Sequence, residues 1–209
     1  TRTEGLIDGL RVIFSLRALW PLLPLTTISY AVLIAERGLW AGPYLSDVFG
    51  LAPVERGTIL LIMATSMSAG ALIYGPLDRV FGGYKWISVI GTAITALAFL
   101  GLAFLTPSLT TAAILLSALG AAGMTYGVLM AHGRAFVPDH LLGRGITFLN
   151  ILFIGGAAII QPISGAVMNR LLQGSPEFAY AILHGGFAVL LLASLAIYLL
   201  AKDVRRDHL

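Results

Sequence analysis

The sequence predicts an all-α polytopic membrane protein of six transmembrane helices in two inverted three-helix repeats. Three observations carry that expectation. Of the 209 residues, 58% are hydrophobic and only 11% are charged, less than half the roughly 25% charged share of a soluble domain. Six apolar segments follow one another, each long enough to cross about 30 Å of hydrocarbon at 1.5 Å per residue. An octapeptide of the first segment also returns, in character, in the fourth.

Composition excludes several classes of function. The net charge of +3 comes from basic residues scattered among apolar runs, so it reads as membrane orientation, and nucleic acid is not an expected partner. There is no cysteine, which rules out disulfides and thiolate metal sites. No glycine-rich phosphate loop, HExxH or nucleophile elbow is present, so neither an enzyme nor a cofactor is expected. The chain opens on Thr1 with no signal-peptide pattern, as expected of a chain that begins inside a longer one or has been processed or trimmed.

In order, residues 1–18 form a cytoplasmic amphipathic linker helix, with Leu6, Leu10, Ile13 and Phe14 on one face. The transmembrane domain, 19–201, comprises repeat one (19–105) and repeat two (109–201). Its segments are Leu19–Leu45, Gly57–Leu77, Trp86–Leu105, Leu109–Ala131, Gly145–Met168 and Phe178–Ala201. The first contains the sequence GLWAGP at 38–43, a helix break placed just after Glu36 and Arg37. Residues 202–209 form a cytoplasmic tail. With six crossings both termini share one side, and that side holds ten of the thirteen Lys and Arg residues. Both termini are therefore cytoplasmic, and the expected location is a bacterial inner (plasma) membrane.

Ser29-Tyr30-Ala31-Val32-Leu33-Ile34-Ala35-Glu36 matches Thr125-Tyr126-Gly127-Val128-Leu129-Met130-Ala131-His132 position for position in character. The second and fifth segments are each entered by Arg-Gly (Arg56-Gly57, Arg144-Gly145). Three helices is an odd number, so a second copy enters from the opposite face. Inverted repeats of this kind enclose the midplane sites of secondary transporters. Inversion also places Glu36 toward the outside and His132 toward the cytoplasm, so the two are not expected to touch.

Three stretches carry a resemblance: GLWAGPYLSDVFGL at 38–51, YGPLDRVFGGYKW at 74–86 and VPDHLLGRGITFLNILFIGGAAIIQPISGAV at 137–167. Together they resemble the C-terminal six helices of a major facilitator superfamily transporter, over nearly the whole chain. The resemblance implies alternating access, with an N-terminal six-helix half as partner. The first and fourth helices would line a cavity, the second and fifth would face the missing half, and the third and sixth would support from outside. Gly75, Leu77, Asp78, Arg79, Gly82 and Lys85 resemble that family's loop motif, which implies a gating latch at Gly75, Asp78, Arg79 and Lys85. The spacing of Gly75 and Gly82 departs from the motif by one residue each, and Tyr84 stands where a basic residue is usual.

Ionisable residues within a span mark solute or proton pathways. Glu36 is the leading candidate for proton coupling or substrate contact, its alternative being a structural ion pair. Arg37 suits an anionic solute through bidentate hydrogen bonds, or else snorkels outward. His132, beside Arg134, is a candidate inner-gate contact. Tyr30, Trp40 and Tyr126 are candidate cavity-lining residues, although Trp40 and Tyr44 also suit an interfacial aromatic belt. Asn150 reads as interhelical glue, and His184 as a packed and satisfied histidine. Met63 and Met67 read as core filler rather than a metal site. Ser66, Gly70, Gly155 and Gly156 suggest faces made for the missing half.

The expected function is transport of a small polar solute, plausibly an anion, by the C-terminal half of a secondary transporter. The alternatives are a multidrug/proton antiporter half and a non-transporting membrane assembly module. The expected partners are the N-terminal half or a second copy of this chain, the solute and the lipid bilayer.

Overall fold

The computed structural model describes residues 13–105 and 108–204, with only the backbone of Asp78 and Arg79. The leader positions Leu6 and Leu10 and the tail residues 205–209 lie outside the described residues. The described chain is all-helical, and six helices are long and apolar enough to cross a membrane. They span Arg17–Phe49, Pro53–Leu77, Lys85–Phe104, Leu109–Arg134, Asp139–Leu171 and Pro176–Tyr198, within a few residues of the segments expected. Such a set fits an integral membrane protein.

The first span is not broken at the GLWAGP stretch but widened there. A short 3-10 helix, Arg17–Leu22, leads into an α-helix, Leu23–Ala35. A π-helical turn follows at Glu36–Trp40, where the Ala41 N–H reaches back five residues to the Glu36 carbonyl. The helix then resumes over Ala41–Phe49. Pro43 accounts for the widening, because its ring lacks an N–H and crowds the carbonyl four residues back, at Leu39. Gly50 closes the helix at φ 67°, a conformation open to glycine at no steric cost. The fourth span does break, between Leu109–Gly123 and Tyr126–Arg134.

The first span packs on the fifth and the second on the fourth, while the third packs on both the sixth and the fourth. The first also packs on the sixth. Glycines set two of these crossings. A Cβ at Gly156 would collide with the Thr27 carbonyl, and one at Gly70 with the Ala121 carbonyl. Gly70 and Gly156 therefore serve close approach inside this bundle, a correction to the expectation that these faces await a missing half. Gly155, Gly75 and Gly165 do face open space.

The second span is the least enclosed, with 22% of its most apolar window buried against 50% for the first and third. At the N-terminal end, Ile13 is buried with Leu19, Val137, Leu141 and Phe148. The Phe14 ring meets Phe148 edge-on at 5.0 Å. Residues 13–16 thus pack across the connection between the fourth and fifth spans.

Candidate functional site

The side chains singled out from the sequence fall into three clusters rather than one. The first surrounds Glu36. The wide turn points this carboxyl into the bundle, 0% exposed, while Arg37, Gly38 and Leu39 face outward. Glu36 Oε1 lies 3.4 Å from Nε2 of His184 in the sixth span, itself 0% exposed. Neither carboxyl oxygen and neither imidazole nitrogen has a hydrogen-bond partner among the described residues. His184 is thus packed but not satisfied, a correction to the reading above. An orphaned buried polar group costs about 1–3 kcal/mol, so this pair is a poor structural fastening.

Around the pair stand aromatic rings. Tyr44 lies 5.0 Å from the His184 ring and 5.2 Å from Tyr180, in each case edge-on. Phe99 of the third span closes the far side at 6.1 Å. The Tyr180 hydroxyl donates to Asp47 Oδ2 at 2.8 Å, and Asp47 is exposed. Nearby, Trp40 is 7% exposed and its Nε1–H donates to Ser164 Oγ at 2.9 Å. Trp40 and Tyr44 are therefore core residues and not belt residues. Arg37 makes no hydrogen bond or ion pair with any described residue.

The second cluster lies at the junction of the first, fourth and fifth spans. The rings of Tyr30 and Tyr126 lie 5.5 Å apart, and each also meets Phe153, at 6.0 and 4.4 Å. The Tyr126 hydroxyl donates to Asn150 Oδ1 at 2.7 Å, which makes Asn150 the interhelical contact expected of it. Beside Tyr126 opens a recess of about 310 Å³, lined by Tyr74, Gly75, Tyr84, Tyr126 and Gly127. The Tyr74 hydroxyl donates to the Ala122 carbonyl at 2.6 Å, next to the break in the fourth span. A larger recess of about 460 Å³ between the second, third and fourth spans has an apolar lining that includes Ile73, Leu77, Ile90 and Ala118.

The third cluster gathers His132, Lys85 and the tail. His132 Nε2 lies 2.9 Å from the Lys202 carbonyl, and Nδ1 lies 2.7 Å from the Tyr198 hydroxyl. A carbonyl only accepts, so Nε2 carries a proton, and in the neutral ring Nδ1 accepts from Tyr198. The Lys85 ammonium donates to the Leu199 carbonyl at 2.7 Å. Asp203 Oδ1 accepts from the backbone N–H groups of Tyr84 and Lys85 at 3.1 and 3.0 Å, where the partial positive charge of the third span's N-terminus favours an anion. Lys85 and His132 thus bind the tail of this same chain. The Asp78 and Arg79 side chains fall outside the described residues.

Glu36 and His132 belong to different clusters. His184 and Tyr198 are 14 positions apart in one helix, so the two sites are separated by about 21 Å. Two partners escaped sequence reading. His184 gave no signal beyond its own presence in an apolar helix, and Asp203 sits in a polar tail. Among the described residues no group of three or more His, Asp or Glu could hold a metal ion. No known family model matches the chain, and no curated protein matches it.

Proposed function

We propose that this chain is the C-terminal half of a secondary transporter of the major facilitator type, moving a small polar solute by alternating access. The Glu36–His184 pair carries this reading. Two ionisable side chains are held wholly buried between apolar spans at a wide helical turn, and neither holds the fold together by a hydrogen bond. Such groups are expensive in a membrane and mark proton or solute pathways, and π turns recur at functional sites.

The pattern of span packing is consistent with inverted repeats. Exchange the first three spans for the last three, and first-on-fifth packing becomes fourth-on-second. Third-on-sixth maps onto itself, and third-on-fourth becomes sixth-on-first. The tight glycine crossings, Gly156 on Thr27 and Gly70 on Ala121, also exchange. Residues in register across a two-fold axis can touch their own counterparts, and Tyr30 meets Tyr126.

In this reading Glu36 handles the coupling proton, and Arg37, exposed and without a partner among the described residues, offers its charge to an anionic solute. The second and fifth spans face the other half. The latch at Gly75, Asp78 and Arg79 works without Lys85, which is tied to the tail. The end bearing Lys85, His132 and Lys202 is cytoplasmic, since basic residues favour that side, and the membrane is a bacterial inner membrane.

The test is proton-coupled uptake of candidate anions into vesicles holding the native protein, with internal pH followed throughout. Glu36→Gln should abolish coupled uptake while expression and helicity persist. Unchanged coupled uptake would remove Glu36 from the mechanism. The intact mass of the native protein identifies the partner. A value near twice 22.1 kDa means a covalent N-terminal half, and a value near 22.1 kDa means a second copy or a separate subunit.

A further inference from the structure

We infer that Glu36 and His184 form one site that binds a single exchangeable proton between them, and that this site communicates with the end of the bundle bearing Asp47. The inference deepens the transport reading and rests on it for its purpose, but not for its test.

The geometry separates this pair from a structural ion pair. A buried ion pair offsets its desolvation only with good geometry and with further hydrogen bonds to the remaining atoms. Here the one close approach, 3.4 Å, falls short of a hydrogen bond, and Oε2 and Nδ1 are equally without partners among the described residues. A single proton changes that balance. Placed on the imidazole, it makes the ring a cation facing the carboxylate, and placed on the carboxyl, it makes that group a donor to the ring nitrogen. The pair then holds either an ion pair or two neutral groups, with the same net charge. Loss of the proton leaves a carboxylate beside a neutral ring, with no cation to offset it.

The surroundings decide where that proton comes from. The third span contributes the apolar ring of Phe99. Arg37, adjacent in sequence, faces outward. The acid–base groups close to the pair are the two tyrosines, Tyr44 of the first span and Tyr180 of the sixth, both in ring contact with His184. Tyr180 is hydrogen-bonded to Asp47, which is exposed. Every other charged side chain of the six spans sits near a span end: Arg17, Glu55 and Arg56, Lys85, Arg134, Asp139 and Arg144, Arg170 and Glu177. His132 lies in the opposite cluster, with the tail. Asp47 is thus an exposed acid linked to the buried pair through Tyr180, whose hydroxyl it accepts from and whose ring meets His184.

Infrared titration of the native protein in lipid vesicles, in light and heavy water, tests the site without any solute. In the difference between the unaltered protein and Glu36→Gln, which cancels the other glutamates, a carboxylic acid band should appear as pH falls, exchange its proton for deuterium and shift on ¹³C-glutamate labelling. His184→Gln should move the midpoint of that band by about one pH unit or more, the coupling expected of groups that share a proton. Asp47→Asn should slow its deuterium exchange. Three results overturn the inference: no band lost between the unaltered protein and Glu36→Gln at any pH, a lost band that does not shift on ¹³C-glutamate labelling, or a midpoint of that band indifferent to His184→Gln. If Glu36→Gln does not fold, the isotope shift in the unaltered protein and Glu36→Asp, which moves the band to that of aspartic acid, decide the same question. A protein that transports nothing can still give the expected spectrum, so failure of the transport reading is seen separately, in the uptake assay.

Discussion

Tyr30 and Tyr126 hold the same place in two similar octapeptides 96 positions apart, and their rings lie 5.5 Å from each other. Under the proposed inverted repeat, this contact is a two-fold interface folded into one chain. The contact is reinforced by Phe153, which both rings meet, and by the hydrogen bond from Tyr126 to Asn150. Removing either ring should therefore disturb the other. In a double-mutant cycle with Tyr30→Ala and Tyr126→Ala, the coupling energy should be about 0.5–1.5 kcal/mol. Denaturant unfolding in detergent, followed by helicity, measures it, and strictly additive losses would mean that the rings are merely neighbours.

The two close helix crossings predict a contrast between adjacent glycines. Gly156→Ala should destabilise by about 1–3 kcal/mol, the usual penalty of overpacking, because the Thr27 backbone stands where the methyl must go. Gly70→Ala should do the same against Ala121. Gly155→Ala, with open space before it, should be neutral or slightly stabilising, since alanine is the better helix former. Melting of the three variants side by side reads the difference.

Ser164 is the acceptor for a buried indole N–H. Ser164→Ala leaves that donor unpaired, and the loss should be about 1–3 kcal/mol. Ser164→Thr keeps an acceptor oxygen and should recover most of it. Trp20 and Trp86 are exposed, so replacing both with Phe leaves Trp40 as a fluorescence reporter of this contact during unfolding.

The tail should loosen when its carboxylate is removed. Asp203→Ala deprives the amides of Tyr84 and Lys85 of their acceptor, at about 0.5–1 kcal/mol for a charge at a helix N-terminus. Hydrogen exchange at these two amides should accelerate by about two- to five-fold, with the rest of the third span unchanged. Lys85→Met, which removes the bond to Leu199, should add to the effect.

The six spans were legible because each is a long apolar run with charged or turn residues at its ends, and length alone fixes such a helix in a bilayer. The contact between Tyr30 and Tyr126 was half legible: the repeat paired them by position, while their touching depended on how the spans cross. The partner of Glu36 was not legible. His184 lies 148 positions away, and only the packing of the first span on the sixth brings it near. The stretch from Gly38 to Pro43 misled for a related reason. Glycine and proline signal a break, but in a span flanked by neighbours a helix can absorb the missing N–H by widening one turn. The role of Lys85 was obscured by a motif that describes contacts between two halves, whereas its ammonium finds a carbonyl within its own chain.

The wide turn at Glu36–Trp40 also works as a phase shifter. An α-helix advances about 100° with each residue, and the wide turn fits one residue more than an α turn, so it offsets the sequence phase of Ala41–Phe49 from that of Leu23–Ala35 by one position. Deletion of Gly38, whose side faces open space, would turn the Glu36–Ala41 bond into an ordinary α-helical one, so that Tyr44 and Leu45 stay buried and Leu23–Ala35 keeps its seat on the fifth span. The two ends of this span answer to different neighbours, and five residues set the angle between them.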